Sequence, residues 1–139
     1  MSEYSKKVRS ALDVAVTAIG GQPRAGQIEM AEAVANALSD RHHLLVQAGT
    51  GTGKSLAYLV PALVHGKKVL VATATLALQR QLIERDLPKI KAALDKELKR
   101  DISFAIYKGV GNYICLQKMN NAANDPEGEM ILEISSLEA

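Results

Sequence analysis

Eight consecutive residues, Ala48-Gly49-Thr50-Gly51-Thr52-Gly53-Lys54-Ser55, hold the densest chemistry in the chain. They fit the phosphate-loop pattern in relaxed form, with Ala48 where the strict pattern has glycine. Each part has a physical task. Gly49, Gly51 and Gly53 let the backbone adopt conformations that a β-carbon forbids, so successive N–H groups can turn inward onto phosphate oxygens. A helix beginning near Lys54 adds its positive dipole end to the same anion. Lys54 reaches the terminal phosphates as a point charge, and the Ser55 hydroxyl can hold Mg²⁺. Lys54 and Ser55 are therefore the expected catalytic pair, and the loop from Ala48 to Ser55 the expected nucleoside triphosphate site. A plain glycine-rich turn is the structural alternative.

Two further groups of polar residues flank that loop. Upstream, Gln27 carries a carboxamide able to accept from adenine N6 and donate to N7, and Arg24 can orient it or approach the nucleotide. Taken alone, the two residues equally well do no more than open a helix. Downstream, Thr73 and Thr75 close an apolar run and open a helix, where hydroxyls and free N–H groups suit a phosphodiester backbone. Gln79 follows one turn later. Thr75 also reads as an ordinary N-cap. His42 and His43 have no partner at ligand spacing, and the lysines and arginine at 67, 68, 89, 91, 96, 99 and 100 read as solvated faces.

The elements that must position these groups follow from periodicity. Val8, Ala11, Leu12, Ala15 and Ile19 fall at helical spacing before Gly20-Gly21. Residues 27–38 repeat the pattern through Ile28, Ala31, Val34, Ala35 and Leu38, and residues 54–64 through Leu56, Leu59, Val60 and Leu63. Pro61 should kink that third helix, because it removes a backbone donor. Residues 75–84 and 89–99 read as two more helices, separated near Pro88. Three short apolar runs, 43–47, 67–73 and 102–107, are too short for helices and read as buried strands. Strands alternating with helices predict an α/β domain with a parallel sheet.

Bulk properties narrow the class. The chain has 139 residues, long enough for one packed core, and 47% are hydrophobic, a globular composition. Seventeen basic against fifteen acidic residues leave a nearly neutral balance, so only a local patch could reveal a nucleic-acid partner. No run approaches the ~18 apolar residues of a membrane span. A single cysteine excludes an internal disulfide framework and suits a reducing, cytoplasmic setting. The last residues, GEMILEISSLEA, read as a helix with Met130, Ile131, Ile134 and Leu137 on one side and no capping residue, which suggests a fragment of a longer chain.

Three segments together resemble the DinG/XPD-like branch of superfamily 2 DNA helicases, and most of all its bacterial DinG-type members. PRAGQIEMAEAV resembles that family's Arg-x-x-Gln segment, QAGTGTGKSLAYLVPAL its phosphate loop, and VLVATATLALQRQLIERDLP the segment that touches single-stranded DNA. The resemblance spans about residues 22–120. It implies a partial RecA-like motor domain over 1–107, an adenine role for Gln27, and DNA contacts for Thr73, Thr75 and Gln79. It also implies ATP hydrolysis coupled to translocation on one DNA strand and duplex unwinding. Small kinases and non-hydrolysing nucleotide modules remain the alternatives from the loop alone.

KGVGNYIC, residues 108–115, resembles the family's Lys-Gly-Arg-x-Asn-Tyr-x-Cys segment, with Val110 in place of the arginine. The resemblance makes residues 108–139 the start of an iron–sulfur insertion and Cys115 its first ligand. A single thiolate cannot hold such a cluster. The chain also lacks an Asp-Glu pair after any apolar run, and an arginine finger is not identifiable. Both are groups that hydrolysis needs, so this chain alone is expected to bind nucleotide without turning it over.

Overall fold

The computed structural model describes residues 3–124. Contacts divide the chain into two compact units, Met1–Ala105 and Ile106–Ala139. The helix expected around Met130 to Leu137 lies outside the described residues.

In the first unit, α1 (Glu3–Ala18), α2 (Ala25–Asp40), α3 (Lys54–His65), α4 (Leu76–Gln81) and α5 (Leu87–Leu98) supply nearly all of the packing. Their core joins Val8, Leu12, Leu59, Val60, Ile90 and Leu94. Alanines 11, 15, 31, 35 and 57 are almost completely buried as well, and their small side chains let the helix backbones approach closely. Helix α2 packs along α3, and α1 touches α2, α3 and α5. Ends are set locally: Gly66 closes α3 at φ 81°, and Arg41 and Lys99 take the left-handed conformation after α2 and α5.

The parallel sheet expected from the sequence is absent among the described residues. Residues 43–47, 67–73 and 102–107 run between helices with no strand ladder. The reading of an α/β, RecA-like sheet is therefore corrected to a helical unit with three non-helical apolar connections. Their exposure explains the error. Leu45 is 98% exposed and Leu70 88%, whereas Leu44, Val46, Val69 and Val71 lie between 38 and 47%. The first two runs turn alternate residues partly toward protein, as a strand would, yet each leaves its central leucine bare. Apolar periodicity records what side chains favour; a strand also requires hydrogen-bonded neighbours, without which it is not stable.

Helices α4 and α5 form one continuous helical path through a π-helical turn, Leu82–Asp86, where a break near Pro88 was expected. The Leu87 N–H bonds the Leu82 carbonyl, five residues back. Pro88 has no N–H, and its ring would clash with the carbonyl four residues earlier in a regular helix. The widened turn relieves that conflict without ending the helix. Helix α3 likewise continues through Pro61, which is fully buried.

In the second unit, a 3₁₀ turn (Val110–Asn112) leads to α6 (Leu116–Ala123). The Tyr113 hydroxyl accepts from the Lys108 N–H at 3.1 Å, closing the loop between them.

Candidate nucleotide site

The loop of residues 48–53 enters α3 directly, and Gly53 is the N-cap. Two of its three glycines require their residue type. Gly51 sits at φ 74° and Gly53 at φ 79°, a region that costs ordinary residues about 1–2 kcal/mol. Gly49 has an ordinary φ and open space where a β-carbon would stand, so backbone conformation does not explain it. No side chain caps α3, which leaves its first-turn N–H groups without the usual hydroxyl or carboxylate acceptor. That end of a helix attracts anions by partial charge and by donor geometry.

Side chains from two helices converge on the loop's carbonyl oxygens. Lys54 Nζ donates to Ala48 O at 2.9 Å and also to Gly49 O, so its ammonium is folded back over the loop. The Thr52 hydroxyl donates to Gly49 O at 3.0 Å and tightens the turn. From the start of α2, the exposed Arg24 guanidinium donates to Gly51 O. One turn later, Gln27 Nε2 donates to Gly53 O at 3.0 Å. Helix packing makes this possible: α2 lies along α3, so the i, i+3 pair at the α2 N-terminus faces the mouth of α3. Thr50 is exposed, and Ser55 is half-buried in the first turn of α3 beside Lys54. Thus Arg24, Gln27 and residues 48–55 form one constellation. Spacing alone did not reveal that Gln27 bonds the loop itself.

The other expected site residues bond one another at the start of α4. Thr75 is the N-cap of α4, its Oγ1 accepting from the Leu78 N–H at 3.2 Å. The Thr73 hydroxyl donates to Thr75 O at 3.2 Å, and the Gln79 N–H bonds Thr75 O. Gln79 itself is half-buried. An open apolar hollow of about 360 Å³ beside α2, lined by Met30, Val34, Leu38, Leu44 and Val46 among others, shares no residue with the loop.

Cys115 is the N-cap of α6 and is exposed. The backbone N–H groups of Lys118 and Gln117 at the start of α6 favour the thiolate and hold the thiol below its ordinary pKa, with a smaller Coulomb contribution from Lys118. Among the described residues, no three His, Cys, Asp or Glu side chains cluster as a metal site. None of the described helices is long and apolar enough to cross a membrane.

Residues 26–123, which contain the loop, Gln27 and the Thr73–Thr75 segment, match the DEAD/DEAH box helicase family. The chain belongs to that family. Relatives of this helicase-family chain include the ATP-dependent helicase DinG of Mycobacterium tuberculosis, 52% identical over 136 residues, which covers 93% of this chain and 20% of the relative. The ATP-dependent DNA helicase YoaA of Haemophilus influenzae is 50% identical over 101 residues, 73% of this chain and 15% of the relative. A Bacillus subtilis protein described as a 3'-5' exonuclease, also called DinG, is 33% identical over 112 residues, 78% of this chain and 12% of the relative. The chain thus spans about a fifth or less of the length of these relatives. No solved structure matches it.

Proposed function

We propose that this chain supplies the ATP-binding portion of a DinG-type, ATP-dependent DNA helicase that couples nucleotide hydrolysis to movement along single-stranded DNA and unwinding of duplexes. The observation that carries the reading is the convergence of Lys54, Arg24 and Gln27 on one phosphate loop at the uncapped start of α3. In this reading the loop N–H groups and the α3 N-terminus bind the phosphates of ATP. Lys54 leaves the Ala48 and Gly49 carbonyls to neutralise the terminal phosphates, and Arg24 and Gln27 face the base side. Lys54 and Ser55 are the residues assigned to catalysis. One hydroxyl is a suitable hard-oxygen donor for Mg²⁺, which keeps waters and phosphate oxygens for its other positions. The ion would screen phosphate charge; Ser55 would hold it.

Thr73, Thr75 and Gln79 are assigned to the DNA backbone. The hydroxyls sit at a helix start, where N–H groups and small polar side chains suit phosphate without reading bases. We assign residues 1–107 to the motor domain and 108–139 to the beginning of an iron–sulfur insertion. The exposed, thiolate-favouring Cys115 has the donor chemistry of a cluster ligand, but the described residues supply no companion set. A cytoplasmic location accords with both DNA as partner and a ligating thiol.

The test is ATP hydrolysis by the protein with and without single-stranded DNA. DNA should stimulate turnover of the protein carrying its full motor, and Lys54→Ala should reduce that turnover by at least about 10²-fold. A Lys54→Ala protein with unchanged DNA-stimulated turnover would refute the assignment of the loop.

A further inference from the structure

Gln27 is unusual among the polar residues of the first unit. It is only 5% exposed, on the same buried face of α2 as Ala31 and Ala35, and its amide is turned toward the loop. Nε2 donates to Gly53 O at 3.0 Å. The approach is so close that a β-carbon on Gly53 would stand 2.2 Å from Nε2 and 2.9 Å from Cδ. Gly53 holds a left-handed conformation and immediately precedes Lys54. The carboxamide therefore bears on the peptide that sets both the last turn of the loop and the first turn of α3.

We propose that Gln27 is a positioning residue for the phosphate loop: through Gly53 it sets the affinity for phosphates whatever base, or no base, is attached. The inference rests on the nucleotide-site reading and deepens it. A carboxamide has two N–H protons and an oxygen with two lone pairs. One proton is spent on Gly53 O, which leaves the other proton and Oε1 for a base edge. Loop geometry and base contact are thereby joined in one planar group, because rotating the amide toward a base tilts it away from Gly53. A side chain that only read adenine would leave phosphate binding untouched when removed. One that holds the loop would weaken phosphate binding itself.

Tripolyphosphate, which has no base, separates the two roles. Binding of ATP and of inorganic tripolyphosphate, each with Mg²⁺, is measured by calorimetry on the wild-type protein, Gln27→Ala and Gln27→Glu. Gln27→Glu keeps the side-chain volume but replaces the donor with an oxygen facing the Gly53 carbonyl, so it holds the test open should Gln27→Ala fail to fold. Both ligands should lose affinity by a similar factor, about tenfold, the scale of one lost buried hydrogen bond. A variant that weakens ATP but binds tripolyphosphate like the wild type overturns the inference and leaves Gln27 as a base reader. A wild-type protein that binds neither ligand refutes the nucleotide site itself, a result that cannot be mistaken for the first. Thermal unfolding gives an independent readout. Gly53→Ala adds the same backbone strain in either background, but meets the Gln27 amide only when Gln27 is present. Its loss of Tm should be smaller in Gln27→Ala than in wild type, and equal losses would overturn the contact's role.

Discussion

The Tyr4 hydroxyl donates to the Pro61 carbonyl at 2.9 Å, tying the first turn of α1 to the middle of α3. Pro61 lies two turns beyond Lys54 on the same helix, so this bond fixes the element that carries the loop without touching the loop. The perturbation is Tyr4→Phe, which removes one oxygen and keeps the ring packed near His65 at a centroid distance of 6.1 Å. One neutral hydrogen bond is worth about 1 kcal/mol net, and a partly buried one with its acceptor left behind lies at or slightly above that value. For a chain of this size, that corresponds to a fall in Tm of about 3–5 °C. Affinity for nucleotide should not change, because no loop contact is lost.

The pH dependence sharpens the test. Burial raises the Tyr4 pKa above 10.0, and the nearby Arg100 charge offsets part of that rise. A raised folded-state pKa means that the folded chain prefers the neutral phenol. Its contribution is complete below the unfolded value near pH 10 and is lost as pH climbs through the folded value. Urea unfolding of wild type and Tyr4→Phe should therefore show a constant gap from pH 7 to 9 that narrows above pH 10. Equal stability at pH 7, or a gap that stays constant to pH 11, would refute the reasoning.

Thr75→Asp separates a cap from a DNA contact. Asp is as good an N-cap as Thr, so thermal stability should hold within about 0.5 kcal/mol, while a new negative charge at the helix start should weaken single-stranded DNA binding, measured by fluorescence anisotropy, by about tenfold. Ile90→Ala should cost about 2–5 kcal/mol in urea unfolding because Ile90 is fully buried. Leu70→Ser should cost less than about 0.5 kcal/mol, since Leu70 is 88% exposed; a large loss would mean that residues 67–73 are packed as a strand after all. Cys115 should react with iodoacetamide at a half-maximal pH below that of a free cysteine peptide, as expected of a thiol at a helix start near the backbone N–H groups of Lys118 and Gln117.

What the sequence made legible was helical and local. The buried positions of α1 fell where the 3.6-residue spacing put them at Val8, Ala11, Leu12 and Ala15. Gly51, Gly53 and the start of α3 at Lys54 were equally plain, whereas Gly49, expected to need the same freedom, has an ordinary φ. The three apolar runs misled because a run specifies burial preference only, and its pairing depends on neighbours hydrogen-bonded across space. Leu45 and Leu70 show the consequence, since each stands bare at the centre of such a run. Pro88 misled for the opposite reason. A proline is normally a stop, but a π-turn lets the chain absorb the missing donor when Leu82, Leu87 and Ile90 gain burial by continuing the helix.

The bonds that matter most to the site were hidden for a single reason. Gln27 to Gly53, Arg24 to Gly51 and Lys54 to Ala48 all end on backbone carbonyls. Every residue has a carbonyl, so residue type at the accepting position carries no trace of the bond. The donor is visible in the sequence and its destination is not. A carbonyl acceptor also resists substitution, which gives the arrangement a specific vulnerability. Changing the side chain at Gly53 cannot delete the acceptor; it can only strain the loop or push Gln27 away. Loss of the bond must come from the donor side or from backbone movement. Gln27 and the loop conformation therefore stand or fall together, and phosphate affinity should follow the donor's ability to reach Gly53 more closely than the chemistry of residue 53 itself.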